Sequence, residues 1–138
     1  MIITRLTLNN FGVYAGVNTF EFSCSKPVVL IGGMNGRGKT TFLEAILLAL
    51  YGSNSFAYNE SKYRTYGQYL KAYVNRADDS LKSSVELEFK LESGKEESYL
   101  IKREWSGAST RVKEKITVNK DGEFSSFLTA NWSMFMEN

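Results

Sequence analysis

The sequence predicts an α/β fold with an antiparallel β portion, and three observations predict it. A continuous apolar run, Val28-Val29-Leu30-Ile31, ends in a glycine-rich turn. A helical pattern opens directly after that turn. Downstream, apolar and polar residues alternate with the period of strands. The 138 residues suit one domain, 1–138, and 43% hydrophobic with 14% aromatic residues can fill its core.

Taken in order, Ile2 to Leu8 reads as a strand ending at Asn9-Asn10. Val17 to Ser23 reads as a second strand with Phe20 and Phe22 on one face, and Gly12 and Gly16 bracket the turn between them. Pro27 opens the apolar run, which fits a strand buried on both faces. Four of the seven residues from Gly32 to Gly38 are glycine, which excludes regular structure there. From Lys39 to Tyr51 the pattern is helical, roughly 20 Å long at 1.5 Å per residue. Ile46 to Leu50 make this helix apolar almost all round, so it is expected to be buried on most sides, with Gly52 as its stop. Ser53 to Ser61 is polar and predicts a loop.

Tyr66, Tyr69, Leu70, Tyr73 and Val74 share one helical face, within a helical insert over about 61–77. Val85, Leu87, Phe89 and Leu91 predict one strand, and Tyr99, Ile101 and Arg103, alternating with Leu100, Lys102 and Glu104, predict the next. These two join through Glu92-Ser93-Gly94-Lys95. Val112, Ile116 and Val118 suggest another strand, turning at Lys120-Asp121-Gly122, so antiparallel strands occupy about 84–124. Ser125 to Asn138 is read as helical.

The composition excludes several chemistries. With no histidine, the chain holds no Ser-His-Asp triad, no histidine general base and no His-ligated zinc. Its one cysteine, Cys24, forms no internal disulfide and reads as a strand-end residue rather than a nucleophile. The net charge of +2 carries no nucleic-acid footprint by itself. The start shows no signal peptide, and the most apolar stretch, Phe42 to Tyr51, falls short of the ~20 residues that span a bilayer. A soluble, cytoplasmic protein without a membrane partner is expected.

Gly33-Met34-Asn35-Gly36-Arg37-Gly38-Lys39-Thr40 matches G-x-x-x-x-G-K-[ST], the phosphate-binding P-loop or Walker A motif, 33–40. Its glycines let the backbone approach phosphates without a Cβ clash. Successive N–H groups form an anion nest, and the following helix adds about half a positive charge. Lys39 is expected to reach the β- and γ-phosphates as the catalytic cation, and Thr40 to hold Mg2+. Thr41 is placed for a further phosphate contact. The ligand predicted is ATP with Mg2+.

Gly-Met-Asn-Gly-Arg-Gly-Lys-Thr-Thr-Phe-Leu-Glu-Ala-Ile closely resembles the P-loop of SMC-type and SbcC-like ATPases, members of the ABC-type ATPases. Leu6-Thr7-Leu8-Asn9-Asn10-Phe11 is similar to their first strand and its Asn-Phe turn. Within that group the chain most resembles the DndD family of DNA sulfur-modification (phosphorothioation) proteins. That likeness lies in Asn10-Phe11-Gly12-x-Tyr14-x-Gly16, the run to Leu50-Tyr51-Gly52, Tyr69-Leu70 before Val74-Asn75-Arg76, and Val85-Glu86-Leu87-Glu88-Phe89. The resemblance implies a P-loop NTPase fold, the N-terminal lobe of a split SMC-like head. It further implies as partners the C-terminal lobe of the same head, a second head that dimerises with it around ATP, DNA, and other DNA sulfur-modification proteins.

The chain departs from that pattern in several places. No apolar run ends in Asp-Glu, so there is no Walker B. Trp105-Ser106-Gly107-Ala108 resembles a signature Ser-Gly-Gly only faintly and lies between strands. Gln68 falls too early for the glutamine loop, and Gly12-Val13-Tyr14 stand where many relatives place a basic residue. Tyr14 reads as a turn-packing residue, with stacking on adenine as the alternative.

Lys62, Arg64, Lys71 and Arg76 lie among Tyr63, Tyr66, Tyr69 and Tyr73 with no acid between Ser61 and Ala77. Such a cluster is a candidate DNA surface. The other reading has the tyrosines packed on the lobe and the basic groups in water, and the helical spacing favours it for the tyrosines. Glu44, Asp78 and Asp79 are read as structural or solvated.

The function expected is ATP binding as the Walker A half of a DNA-associated ATPase in DNA phosphorothioation, with the isolated chain inactive in hydrolysis. The alternatives are a nucleotide-sensing module that does not hydrolyse, and the ATPase of a DNA repair nuclease complex. A P-loop kinase or small GTPase is weaker, because Asn-Lys-x-Asp and a lid-like arginine segment are missing.

Overall fold

The computed structural model describes residues 1–22, 37–77 and 79–137. Six strands are described: β1 (Ile2–Phe11), β2 (Tyr14–Glu21), β3 (Lys82–Ser93), β4 (Lys95–Ser106), β5 (Lys115–Lys120) and β6 (Glu123–Phe124). They form one sheet in the order β2-β1-β3-β4-β5-β6, every neighbouring pair antiparallel. The described helices are α1 (Arg37–Tyr51), α2 (Phe56–Asn59), α3 (Tyr66–Ala72) and α4 (Ser126–Glu137). The predicted strand at Val28–Ile31 and the glycine-rich turn up to Gly36 lie outside the described residues.

Strand alternation gives the sheet one dry face. Leu6 and Leu8, Val85, Leu87 and Phe89, Ile101, and Val118 are fully buried on it. α1 covers β1, β3 and β4 there, and α4 lies on β5. Each such side chain contributes about 1.5–3 kcal/mol when removed from water. The other face carries polar residues, including an Arg5–Glu88 ion pair at 2.7 Å. That pair is too exposed to add more than about 1 kcal/mol.

Turn chemistry sets the register. Phe11 pairs with Tyr14, so β2 begins at Tyr14 rather than Val17 and the turn is the two residues Gly12 and Val13. Asp121 and Gly122 both take positive φ, 52° and 84°, the geometry of a two-residue hairpin turn between β5 and β6.

Three predicted elements are corrected. Val112 is buried but precedes the strand it was read into, because β5 begins only at Lys115. Ser53–Ser61 is not a loop throughout: a 3₁₀ turn, Gly52–Asn54, leads into α2. The buried Ser55 caps that helix by accepting from the Tyr58 N–H at 3.2 Å. The insert over 61–77 is helical only in α3, which Thr65 caps by accepting from Gln68 N–H at 3.2 Å. Val74 has left the helix and bridges antiparallel to Phe11.

Candidate functional site

α1 opens with the last four residues of the predicted P-loop, and its sequence fixes how it lies. Phe42, Ala45, Leu48 and Ala49 are fully buried against the sheet, at helical spacing. Phe20 and Phe22 both meet the Phe42 ring edge-on, at 5.3 and 5.8 Å between centroids, which ties β2 to the start of the helix. The expectation of a helix buried on most sides is met only in part, because Leu43 and Tyr51 stay exposed.

Gly33, Met34, Asn35 and Gly36 lie outside the described residues. Arg37, Gly38, Lys39 and Thr40 are described in their backbone, as the opening of α1. The first N–H groups of a helix have no intrahelical acceptor, and the helix dipole makes that end positive. No acidic residue stands in the first turn of α1 to answer that charge. The chemistry of this end therefore fits an anionic ligand such as a triphosphate.

The opposite end of α1 is answered from within the chain. Arg103 projects from β4 onto the dry face and is 6% exposed. Its Nε donates to the Ala49 carbonyl at 3.0 Å. Its Nη1 donates to Glu114 Oε1, and Tyr66 OH donates to the other Glu114 oxygen at 2.6 Å. Trp132 Nε1 donates to the Leu50 carbonyl at 2.8 Å. Gly52 follows with φ of 56°, and a Cβ there would lie 2.6 Å from Arg103 Nη1. The predicted helix stop is thus also the gap through which the guanidinium reaches the helix end. The strand alternation that put Arg103 on the apolar face with Tyr99 and Ile101 was the signal for this group.

Motif residues remote in sequence meet at the β1–β2 turn. Gly12 has φ of 61°, and a Cβ on it would lie 2.4 Å from Thr41 Cγ2. The turn therefore sits directly on Thr41, which is buried. Asn75 Nδ2 donates to the Gly12 carbonyl and Asn75 N–H to the Asn10 carbonyl, both at 2.9 Å. Gly12 N–H donates to the Tyr73 carbonyl at 2.6 Å. Asn10 accepts from Gly16 N–H at 2.7 Å through its side chain. The Asn10-to-Gly16 and Val74-Asn75-Arg76 motifs thus form one cluster against the start of α1. Tyr14 packs edge-on against Phe20 at 5.6 Å, the turn-packing arrangement.

The tyrosines of the insert turn inward, as their spacing predicts. Tyr69 is buried and contacts Tyr58, Tyr63, Tyr66 and Tyr73, and Tyr73 stacks on Phe11 at 4.9 Å. The basic groups turn outward: Lys62, Arg64 and Arg76 are exposed and Lys71 is half-buried. Lys62 Nζ sits 5.5 Å from the Tyr63 ring centre. Glu44 Oε2 and Tyr69 OH are buried without a hydrogen-bond partner among the described residues. Burial raises the Glu44 carboxyl above the usual carboxylate range, and burial and then the Glu44 charge raise the Tyr69 phenol. Asp79 is exposed, and Asp78 lies outside the described residues.

Among the described residues no group of three or more acidic, cysteine or histidine side chains could hold a metal ion. No described helix is long and apolar enough to cross a membrane.

The sequence profile of the AAA domain family matches residues 5–133. The SbcC component of the nuclease SbcCD from Treponema pallidum (strain Nichols) is 48% identical over 48 residues, covering 35% of this chain and 5% of that protein. A DNA double-strand break repair Rad50 ATPase from Halobacterium salinarum is 42% identical over 55 residues, 40% of this chain and 6% of that protein. A DNA replication and repair protein RecF from Natranaerobius thermophilus is 34% identical over 79 residues, 55% of this chain and 20% of that protein. The chain therefore spans a fifth or less of the length of these curated relatives.

Proposed function

The chain belongs to the AAA domain family, and from that premise we propose that it is the ATP-binding, Walker A lobe of a DNA-associated, SMC- and SbcC-like ATPase. The observation that carries this reading is the motif Gly33 to Thr40 running into a helix whose positive end meets no acid of its own. Gly33 to Gly38 would cradle the phosphates by their backbone N–H groups. Lys39 would pair with the β- and γ-phosphates, Thr40 would hold Mg2+, and Thr41 would add support. Bound Mg2+ would supply charge neutralisation across the phosphate oxygens.

The relatives with matching segments are by name a nuclease subunit, a DNA replication and repair protein and a DNA double-strand break repair ATPase, which favours DNA as a partner of the whole protein. A C-terminal lobe and a second, dimerising head would complete the site, because this chain has no Walker B acid pair and no signature loop. Hydrolysis by the lobe alone is expected to be negligible. A second reading, DNA sulfur modification together with the other proteins of that system, draws on the cluster of Asn10, Gly12 and Asn75 that the DndD family resemblance singled out.

Isothermal titration of the protein with Mg-ATP tests the proposal. A charge-assisted hydrogen bond is worth about 1.5–3 kcal/mol, so Lys39→Ala is expected to weaken binding roughly 10- to 100-fold. Equal affinity in the two proteins, or no binding by the wild type, overturns it.

A further inference from the structure

We infer that Asn75 is a positioning residue for the nucleotide, acting through the β1–β2 turn on Thr41 of α1. The inference rests on the reading of Gly33 to Thr40 as the nucleotide site, and it adds to that site a residue from beyond α3.

Three consecutive residues after α3 hold the turn. Gly12 N–H donates to the Tyr73 carbonyl at 2.6 Å, and the Gly12 carbonyl accepts from Asn75 Nδ2 at 2.9 Å. Both polar groups of Gly12 are thus bound by the 73–75 segment. Asn75 N–H donates to the Asn10 carbonyl, and Val74 bridges antiparallel to Phe11. Among these bonds only the one from Asn75 Nδ2 comes from a side chain. Nearly every residue offers a backbone N–H and carbonyl, so Asn75 is where residue type decides how the turn is held.

The amide suits this place because it must accept and donate at once. Asn75 Oδ1 accepts from Ala77 N–H at 2.9 Å, which turns Nδ2 toward Gly12. The segment is also backed from its other side. Gly107, just after β4, lies so close that a Cβ on it would stand 3.1 Å from Val74 Cγ2. Gly107 N–H donates to the Leu81 carbonyl at 2.7 Å, and Trp105 Nε1 to the Leu70 carbonyl at 2.9 Å. These bonds tie the end of β4 to α3 and to the start of β3, so the segment has a fixed support.

The turn in its place rests on α1. A Cβ on Gly12 would lie 2.4 Å from Thr41 Cγ2 and 3.2 Å from Thr41 Oγ1, so the turn backbone itself covers that side chain. Thr41 is 6% exposed and directly follows Thr40, the residue proposed to hold Mg2+. Close-packed groups pass displacement on, because there is no void to absorb it. A turn that lifts from Thr41 therefore loosens the backbone that would cradle the phosphates. Asn75 acts by holding the turn down.

Asn75→Ala and Asn75→Ser test the inference, with Thr129→Val as control. Serine keeps an acceptor for Ala77 N–H but falls a bond short of Gly12. Thr129 Oγ1 accepts from Val118 N–H at 3.0 Å on β5, three strands from β1, so its loss costs stability without touching the turn. Amide hydrogen exchange by NMR on nucleotide-free protein reads the contact, and calorimetric titration with Mg-ATP reads the function. Both Asn75 variants are expected to exchange several-fold faster at residues 40–43 and unchanged at 47–50. They are expected to bind Mg-ATP roughly fivefold more weakly, the fold-change of one net hydrogen bond. Thr129→Val is expected to melt a few degrees lower, as they do, with wild-type affinity. Unchanged exchange at 40–43 overturns the inference, as does wild-type affinity in Asn75→Ser or an equal loss in Thr129→Val. These results strike the inference alone when wild type binds Mg-ATP. Absence of binding by wild type strikes the nucleotide reading, and this role of Asn75 falls with it.

Discussion

At its C-terminal end α1 receives Arg103 Nε on the Ala49 carbonyl and Trp132 Nε1 on the Leu50 carbonyl, whereas at its N-terminal end no acidic side chain stands in the first turn. Both ends of a helix leave unsatisfied backbone groups and a partial charge. The chain commits a buried cation and an indole to the C-terminal end of α1, and the other end is the one proposed to receive the nucleotide. On that proposal the difference separates stability from function along one helix. Changes at the C-terminal end should be read in the melting temperature, and changes at the loop end in nucleotide affinity.

The largest expected effect breaks the buried end. Arg103→Met keeps volume but strands Glu114 and the Ala49 carbonyl. Removing one partner of a buried pair costs about 3–5 kcal/mol. Thermal unfolding is expected to fall by roughly 10 °C or more. Adding Glu114→Gln should restore part of that loss, since the uncompensated carboxylate is then gone. A melting temperature within about 2 °C of wild type for Arg103→Met would mean that the C-terminal end is held by packing alone.

The next change sharpens the comparison at the loop end. Gly12→Ala places a Cβ 2.4 Å from Thr41 Cγ2, at a φ of 61°. The left-handed conformation costs an alanine about 1–2 kcal/mol. The displaced contact is one residue beyond the P-loop, so Mg-ATP affinity is expected to fall several-fold while the melting temperature drops by only a few degrees. Calorimetry and thermal unfolding on the same samples check this. A larger loss of stability than Arg103→Met causes would reverse the assignment of the two ends.

The same contrast governs what could be read from residues alone. Strand alternation, Asp121-Gly122 and the stop at Gly52 are local signals, and each was legible. Ser55 was not, because a cap followed by the short Phe-Ala-Tyr-Asn helix has too little periodicity to separate it from a polar loop. The P-loop carries its spacing in eight consecutive residues and was legible as a motif. Arg103 was visible as a strand residue on an apolar face, but its partners Ala49 and Glu114 lie 54 and 11 residues away, and only tertiary packing brings them together.

The smallest expected effect concerns Glu44, which lies between the two ends of α1. Its Oε2 is buried without a hydrogen-bond partner among the described residues, as is the Tyr69 hydroxyl, whose pKa burial and then the Glu44 charge raise. Burial raises its pKa in the folded state above the unfolded value. A raised acid binds more protons folded than unfolded between those two values, so its share of stability falls as pH rises through that window. Below the unfolded carboxylate value the group is neutral in both states and costs nothing. Above the folded value the ionised group carries the full penalty, moderated by its partial access to water. Glu44→Gln removes the charge at little cost in shape. Its melting temperature is expected to match wild type at acid pH and to exceed it by a few degrees at most at neutral pH, with the difference growing monotonically between. A variant less stable than wild type at neutral pH would show that the ionised carboxylate is bound by a cation, and Glu44 would then belong with the loop end of α1 rather than between the two.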